Sequence, residues 1–146
     1  MAILRQPRQP ELTQAKQLFA MKAKFSQFSA KCVRNKTIIW TGDWQPTALS
    51  PQYSLEITYT QGLRPRIAIL SPVLTLGPTH TKLPHVFDGQ KDICVHTANE
   101  WGPHLLIADT ILPWVSQWLY FYEVWALTGK WLGEGTHPNL PEHRES

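Results

Sequence analysis

Apolar residues near the start of the chain recur mostly three, four or seven apart. Leu12, Ala15, Leu18, Phe19, Phe25 and Phe28 make one stripe of a helix that runs from Glu11 to about Ala30. Pro10 stands where a first turn accepts a proline, and the segment holds no other Pro or Gly. The lysines lie mostly off the stripe, so this helix packs by one face. After Lys36 the period changes. Thr37-Ile38-Ile39-Trp40 is β-branched and aromatic and predicts a strand, closed by a turn at Thr41-Gly42-Asp43. Tyr53 to Tyr59 alternates apolar and polar, as a half-buried strand does. Gln61-Gly62 turns the chain, and Pro65 leads into a third strand, Arg66 to Leu70. Short turns between these strands predict an antiparallel meander. Pro72, Gly77, Pro78, Pro84 and Gly89 then predict an irregular, extended loop over residues 71–90. A short apolar segment follows, Asp92-Ile93-Cys94-Val95-His96. The last periodic stretch, Leu105 to Thr128, predicts a second helix, with Asp109 as its cap, Pro113 tolerated only near its first turn, and Gly129 as its stop. Trp114, Trp118, Tyr122 and Trp125 share one face of it, a core stripe. The order is helix, three or four strands, a long loop with a cysteine, then helix. That is an α+β fold with helices packed on an antiparallel sheet.

Composition narrows the class. The 146 residues suffice for one domain spanning 1–146, with residues 1–9 and 133–146 expected as flexible ends. At 42% hydrophobic and 17% charged, the chain lacks the signature of disorder. Two cysteines make no disulfide framework, and the polar segment Met1–Pro10 does not read as a signal peptide, so a reduced, cytoplasmic location is expected. Leu105 to Gly129 is apolar enough to test for membrane insertion, but Asp109, Pro113, Ser116, Gln117 and Glu123 interrupt it, and no membrane association is expected. The Trp-rich helix can bury its face in the core or in a homodimer.

Charge adds an asymmetry. Residues 1–36 carry eight Lys and Arg against Glu11 alone, a net +7, which leaves −4 on the remaining 110 residues. A basic first helix on an acidic body is either a solvated face or a dock for an acidic partner. It carries no nucleic-acid recognition motif, and its phenylalanines are needed for packing, so no nucleic-acid partner is expected.

The motifs around Cys94 carry a resemblance. Pro65-Arg66-Ile67-Ala68-Ile69, then His85, Gly89, Ile93-Cys94-Val95 and Glu100-Trp101-Gly102-Pro103 follow one another in order. Over roughly residues 10–128 this resembles the ubiquitin-conjugating enzymes: an amphipathic helix, a β-meander, a long loop with a His-Pro-Asn motif, the active cysteine, and a Trp before a helix. A narrower likeness lies in Leu83-Pro84-His85-Val86-Phe87-Asp88-Gly89, in Leu106 to Trp114, in Trp118 to Glu123, and in Thr128-Gly129-Lys130-Trp131. These are similar to the stand-alone ubiquitin-conjugating-like proteins of bacterial antiphage operons that encode a cGAS/DncV-like nucleotidyltransferase, the cyclic-oligonucleotide (CBASS) systems.

That resemblance implies an acyl transferase. Cys94 would carry the C-terminal acyl group of the nucleotidyltransferase as a thioester and pass it to an amine or another acceptor. An activating enzyme, met through the basic first helix, would be encoded elsewhere or dispensed with. The chemistry suits the residue types, because a thiolate is the nucleophile in acyl transfer. His85-Val86-Phe87 stands where His-Pro-Asn would, so His85 or a backbone N–H takes the role of the missing Asn. His96, two residues beyond the cysteine, replaces the acid of many relatives. In an extended segment it would face the same side as the thiol, as a proton acceptor.

Other readings compete. Cys94 together with His85, His96 and His104 has the residue types of a zinc tetrad, but the irregular spacing matches no established finger, and neither metal nor cofactor is expected. A catalytically inactive module that clasps its partner's C-terminal tail remains the alternative. Cys32, at the end of the first helix, reads as incidental.

Overall fold

Period-two alternation between Thr37 and Ser71 builds the centre of the molecule. The computed structural model describes residues 10–74, 92–97 and 99–133. Within them, α1 spans Gln14–Lys24, followed by strands β1 (Ser29–Val33), β2 (Thr37–Trp44), β3 (Tyr53–Thr60) and β4 (Arg66–Ser71), and by helix α2 (Ile107–Thr128). The strands pair antiparallel in the order β1-β2-β3-β4, an uncrossed meander. In β3 every second residue (Tyr53, Leu55, Ile57, Tyr59) is buried, and Ile38 and Trp40 of β2 and Ile67 of β4 join them on the same face. Onto that face α2 lays Ile107, Ala108, Ile111, Leu112, Val115, Trp118, Leu119, Tyr122 and Trp125. The expected α+β architecture is the one observed, and no helix among the described residues is long and apolar enough to cross a membrane.

Four local expectations need correction. The first helix stops at Lys24 rather than near Ala30. Phe25 closes it, its N–H donating to Met21 O, and Ser29–Val33 leaves as an edge strand. The hairpin from β1 to β2 turns on Arg34 and Asn35, both at positive φ (52° and 59°). With no Gly or Pro there, the turn left little trace in the sequence. Cys32 is therefore an exposed residue of β1, not the end of a helix.

The stripe of α1 is also rotated from the expected one. Gln17 and Met21 are its buried residues, while Phe19 is 77% exposed. Gln17 goes inside because both ends of its amide are used: Nε2 donates to Leu105 O at 2.8 Å, and Oε1 accepts from Ile107 N at 2.9 Å. A buried amide so satisfied costs little, and apolar periodicity cannot see it.

Thr41-Gly42-Asp43 is strand, not turn, and β2 runs on to Trp44. Gly42 serves close packing: a Cβ there would lie 2.7 Å from the Phe28 ring.

Finally, α2 begins at Ile107, two residues before the expected cap. Leu106 is its N-cap and makes no side-chain cap bond. Gln17 satisfies the Ile107 N–H from α1 instead, and Asp109 forms an ion pair with Lys24 across the α1–α2 seam. Pro113 lies inside the helix, beyond its first turn, and there it removes a backbone donor. The nine buried residues of α2 hold the helix through that defect. Gly129 ends it as expected, left-handed at φ 79° with its N–H on Trp125 O at 2.7 Å. Of the aromatic face, Trp118, Tyr122 and Trp125 are core, and Trp118 stacks on Tyr122 with ring centroids 5.8 Å apart. Trp114 is half-buried and turns toward the cysteine segment.

Candidate active site

Cys94 is carried on a short extended segment laid against β4. Asp92 bridges Ala68 antiparallel, and Ile93 N–H donates to Ile67 O at 2.8 Å. Ile93 and Val95 drive their side chains into the core, which leaves Cys94 between them half-buried on the other side of the strand. Asp92 binds the segment again from its side chain, with Oδ2 2.7 Å from Arg66 Nε. The thiol therefore sits on a strand fixed by two buried residues, a backbone bond and an ion pair. It is a free cysteine.

Downstream the chain is held just as closely. Trp101 Nε1 donates to Thr110 Oγ1 at 3.1 Å, and its ring meets Tyr59 edge-on at 5.7 Å. Leu12 N–H reaches Pro103 O at 2.9 Å, and Leu105 N–H closes a turn on Gly102 O at 3.0 Å. Gln17 then binds Leu105 and Ile107, so α1, α2 and β3 all grip the stretch beyond the cysteine.

The period-two expectation for His96 is met only as far as Val95. At His96 the chain bends, and the residue is 4% exposed. The contact it makes with the thiol is through its backbone, Cys94 Sγ to His96 O at 3.5 Å. The ring packs against Trp114, with centroids 5.6 Å apart, and Nδ1 lies 2.6 Å from Thr97 O. A carbonyl only accepts, so Nδ1 carries the proton and Nε2 of the neutral ring is an acceptor.

Burial lowers the pKa of His96 below its ordinary 6.5; the Thr97 carbonyl opposes that shift, Arg64 adds to it, and Glu100 opposes it more weakly. The unfolded chain then binds a proton that the folded chain resists. Stability from this residue is complete above pH 6.5 and declines as pH falls toward the lowered value. Thermal melts between pH 7.5 and 5 should show wild type losing more of its midpoint below pH 6.5 than His96→Gln does. Equal pH slopes would contradict the assignment.

Arg64, Pro65, Ile67, Ile93, Cys94, Val95 and His96 line a crevice at the thiol that is too narrow to admit a water molecule. Arg64 was not singled out in the sequence, where it reads as one more turn residue ahead of Pro65. His85 lies outside the described residues, so its relation to Cys94 is not part of the geometry. Among the described residues, no three of His, Cys, Asp and Glu converge as metal ligands, and this includes Cys94, His96 and His104.

The family model described as "Type II CBASS E2 protein" matches residues 17–138. No curated protein matches the chain.

Proposed function

The chain belongs to the type II CBASS E2 family, and from that membership we propose that Cys94 is the acyl-carrying nucleophile of an antiphage conjugation step. The acyl donor is the C-terminus of the system's cGAS/DncV-like nucleotidyltransferase, presented in activated form as an acyl adenylate or as a thioester on an activating enzyme. Cys94 Sγ bonds to the carbonyl carbon, and the adenylate or thiolate leaves with its electron pair. The thiol proton passes to a base, a role open to the neutral His96 ring or to water. An amine then displaces Sγ, giving an amide and regenerating the thiol. What supports this reading is one observation: a free, half-exposed thiol on a segment tied down on both sides of it.

Co-expression with the nucleotidyltransferase, followed by mass spectrometry, tests it. A reductant-sensitive adduct mapped to Cys94 is expected. The clasp alternative predicts that Cys94→Ala keeps both partner binding and phage protection; the carrier predicts that it keeps binding at most.

The partner surface for an activating enzyme is proposed on α1. Phe19 projects from it beside an open groove of about 770 Å³ whose lining includes Leu12, Ala15, Ala20, Leu105 and Leu106. Lys16 lines the groove, and Lys22 and Lys24 are exposed in the last turn of the same helix. Such a face suits a partner with an apolar anchor and acidic rim. Phe19→Ser is expected to weaken that association by about tenfold or more while leaving the melting temperature near wild type, since the ring is mostly in solvent. Calorimetric titration against the partner checks the loss, and wild-type binding should itself weaken as salt rises.

A further inference from the structure

We propose that the open edge of β1 binds an extended acidic segment of a partner protein as an added strand. The sheet has two edges. At β4 the chain closes its own: Asp92 bridges Ala68, and Ile93 N–H donates to Ile67 O at 2.8 Å. At the other edge β1 pairs with β2 alone among the described residues, over Ser29–Val33. An antiparallel strand turns alternate N–H and C=O groups away from its one neighbour, so β1 holds backbone donors and acceptors toward solvent. Four of its five residues are exposed.

The charge along that edge is of one sign. Lys31 lies in the middle of β1, and Arg34 and Lys36 stand in the hairpin that follows. All three are exposed, and none forms an ion pair among the described residues. From Leu12 to Gly42 the chain contains no Asp or Glu. The next acid, Asp43, lies on β2 beyond the Ser29–Thr41 pair, at the end of β1 away from the hairpin.

These features select the occupant. A second copy adding antiparallel over the same five residues would set Lys31 against Lys31, and like charges directly opposite destabilise a strand pair. A single-stranded nucleic acid would meet cations but no ring to stack on, because residues 29–36 contain no aromatic. An acidic strand satisfies both needs: backbone pairing supplies affinity, and carboxylates opposite Lys31 and the hairpin set the register. Four strand spacings, about 19 Å in all, separate β1 from the segment that carries Cys94. A partner held there leaves the thiol open, and the docking stands whether or not Cys94 carries an acyl group.

The probe is a labelled synthetic peptide of about eight residues that alternates glutamate and valine, titrated by fluorescence anisotropy at low salt. It should bind wild type. At four times its Kd it should slow hydrogen exchange of the newly paired amides within residues 29–33 about fivefold. The same peptide methylated at every backbone nitrogen keeps its charges and loses its donors, and it should bind at least about tenfold more weakly. A peptide with lysine for glutamate should not bind. Lys31→Glu combined with Lys36→Glu should weaken the acidic peptide about tenfold and admit the lysine one; the peptide comparisons on wild type decide the matter even if that variant fails to fold. No binding of the acidic peptide, equal binding of the methylated one, or protection that falls outside residues 29–33 overturns the proposal. So does exchange at 29–33 that slows with protein concentration alone, which assigns the edge to a second copy. An oligodeoxythymidine that displaces the peptide and protects the same amides overturns it in favour of nucleic acid.

Discussion

Cys94→Ser is expected to convert a reductant-sensitive adduct into one that survives reductant. The carrier reading makes the bond a thioester, which an added thiol cleaves by exchange at the carbonyl carbon. A serine oxygen in the same place makes an oxyester, which thiols attack far more slowly. The serine adduct should also form slowly, because a hydroxyl is almost wholly protonated at neutral pH whereas a free thiol is ionised to a few per cent. Cys94→Ala should form none. The substitution is structurally mild: Cys94 is half-buried, and Ile93 and Val95, not Cys94, anchor the strand. Electrophoresis of co-expressed proteins with and without reductant distinguishes the three variants. An adduct on Cys94→Ala would place the linkage elsewhere, for example at a lysine amine, and would remove Cys94 from the chemistry, whereas a reductant-resistant wild-type adduct that Cys94→Ala lacks would be the amide product of the second step.

The meander could be read from the chain because β3 is buried on one face and wetted on the other. Its Tyr53, Leu55, Ile57 and Tyr59 keep strict alternation, and that pattern has no other solution. The α2 core stripe was readable for the same reason at helical period. β1 was not: four of its five residues are exposed and the fifth is half-buried, so no apolar periodicity marks it. Its turn uses Arg34 and Asn35 where Gly is the usual signal. Pro113 misleads because propensity is local, whereas the packing that carries α2 through it comes from the sheet. Asp109 misleads for a related reason, since its partner Lys24 is 85 residues away.

At the candidate site the cysteine was evident from its motif context, and its fixation by Ile93 and Val95 follows from alternation. What could not be read was the bend at His96, which depends on Trp114 arriving from α2. Arg64 joins Cys94 only because the segment folds back along β4. Both facts are tertiary, and neither leaves a spacing signal.

Gln17 joins these threads, and its replacement is the largest stability effect expected of a polar residue here. Gln17→Leu keeps the volume and deletes both hydrogen bonds. Leu105 O then loses its amide donor and Ile107 N–H its acceptor, each facing the seam between α1 and α2. Orphaned buried groups cost about 1–3 kcal/mol each, so a loss of about 2–4 kcal/mol is expected after the added hydrophobic gain of leucine is set against it. For a domain of this size that lowers the melting temperature by about 5–15 °C. The strain is not confined to the seam. Ile107 opens α2, Thr110 one turn on holds Trp101, and Trp101 packs on the buried Tyr59 near the end of β3. Hydrogen exchange should therefore quicken at the start of α2 and through residues 101–106, while the β2–β3 pairing stays protected. Phe19→Ser, on the same helix but facing solvent, is the matched control and should melt near wild type. If Gln17→Leu also melts within about 2 °C of wild type, the amide is a passenger in the seam, and α1 does not hold the stretch downstream of Cys94 in the way described.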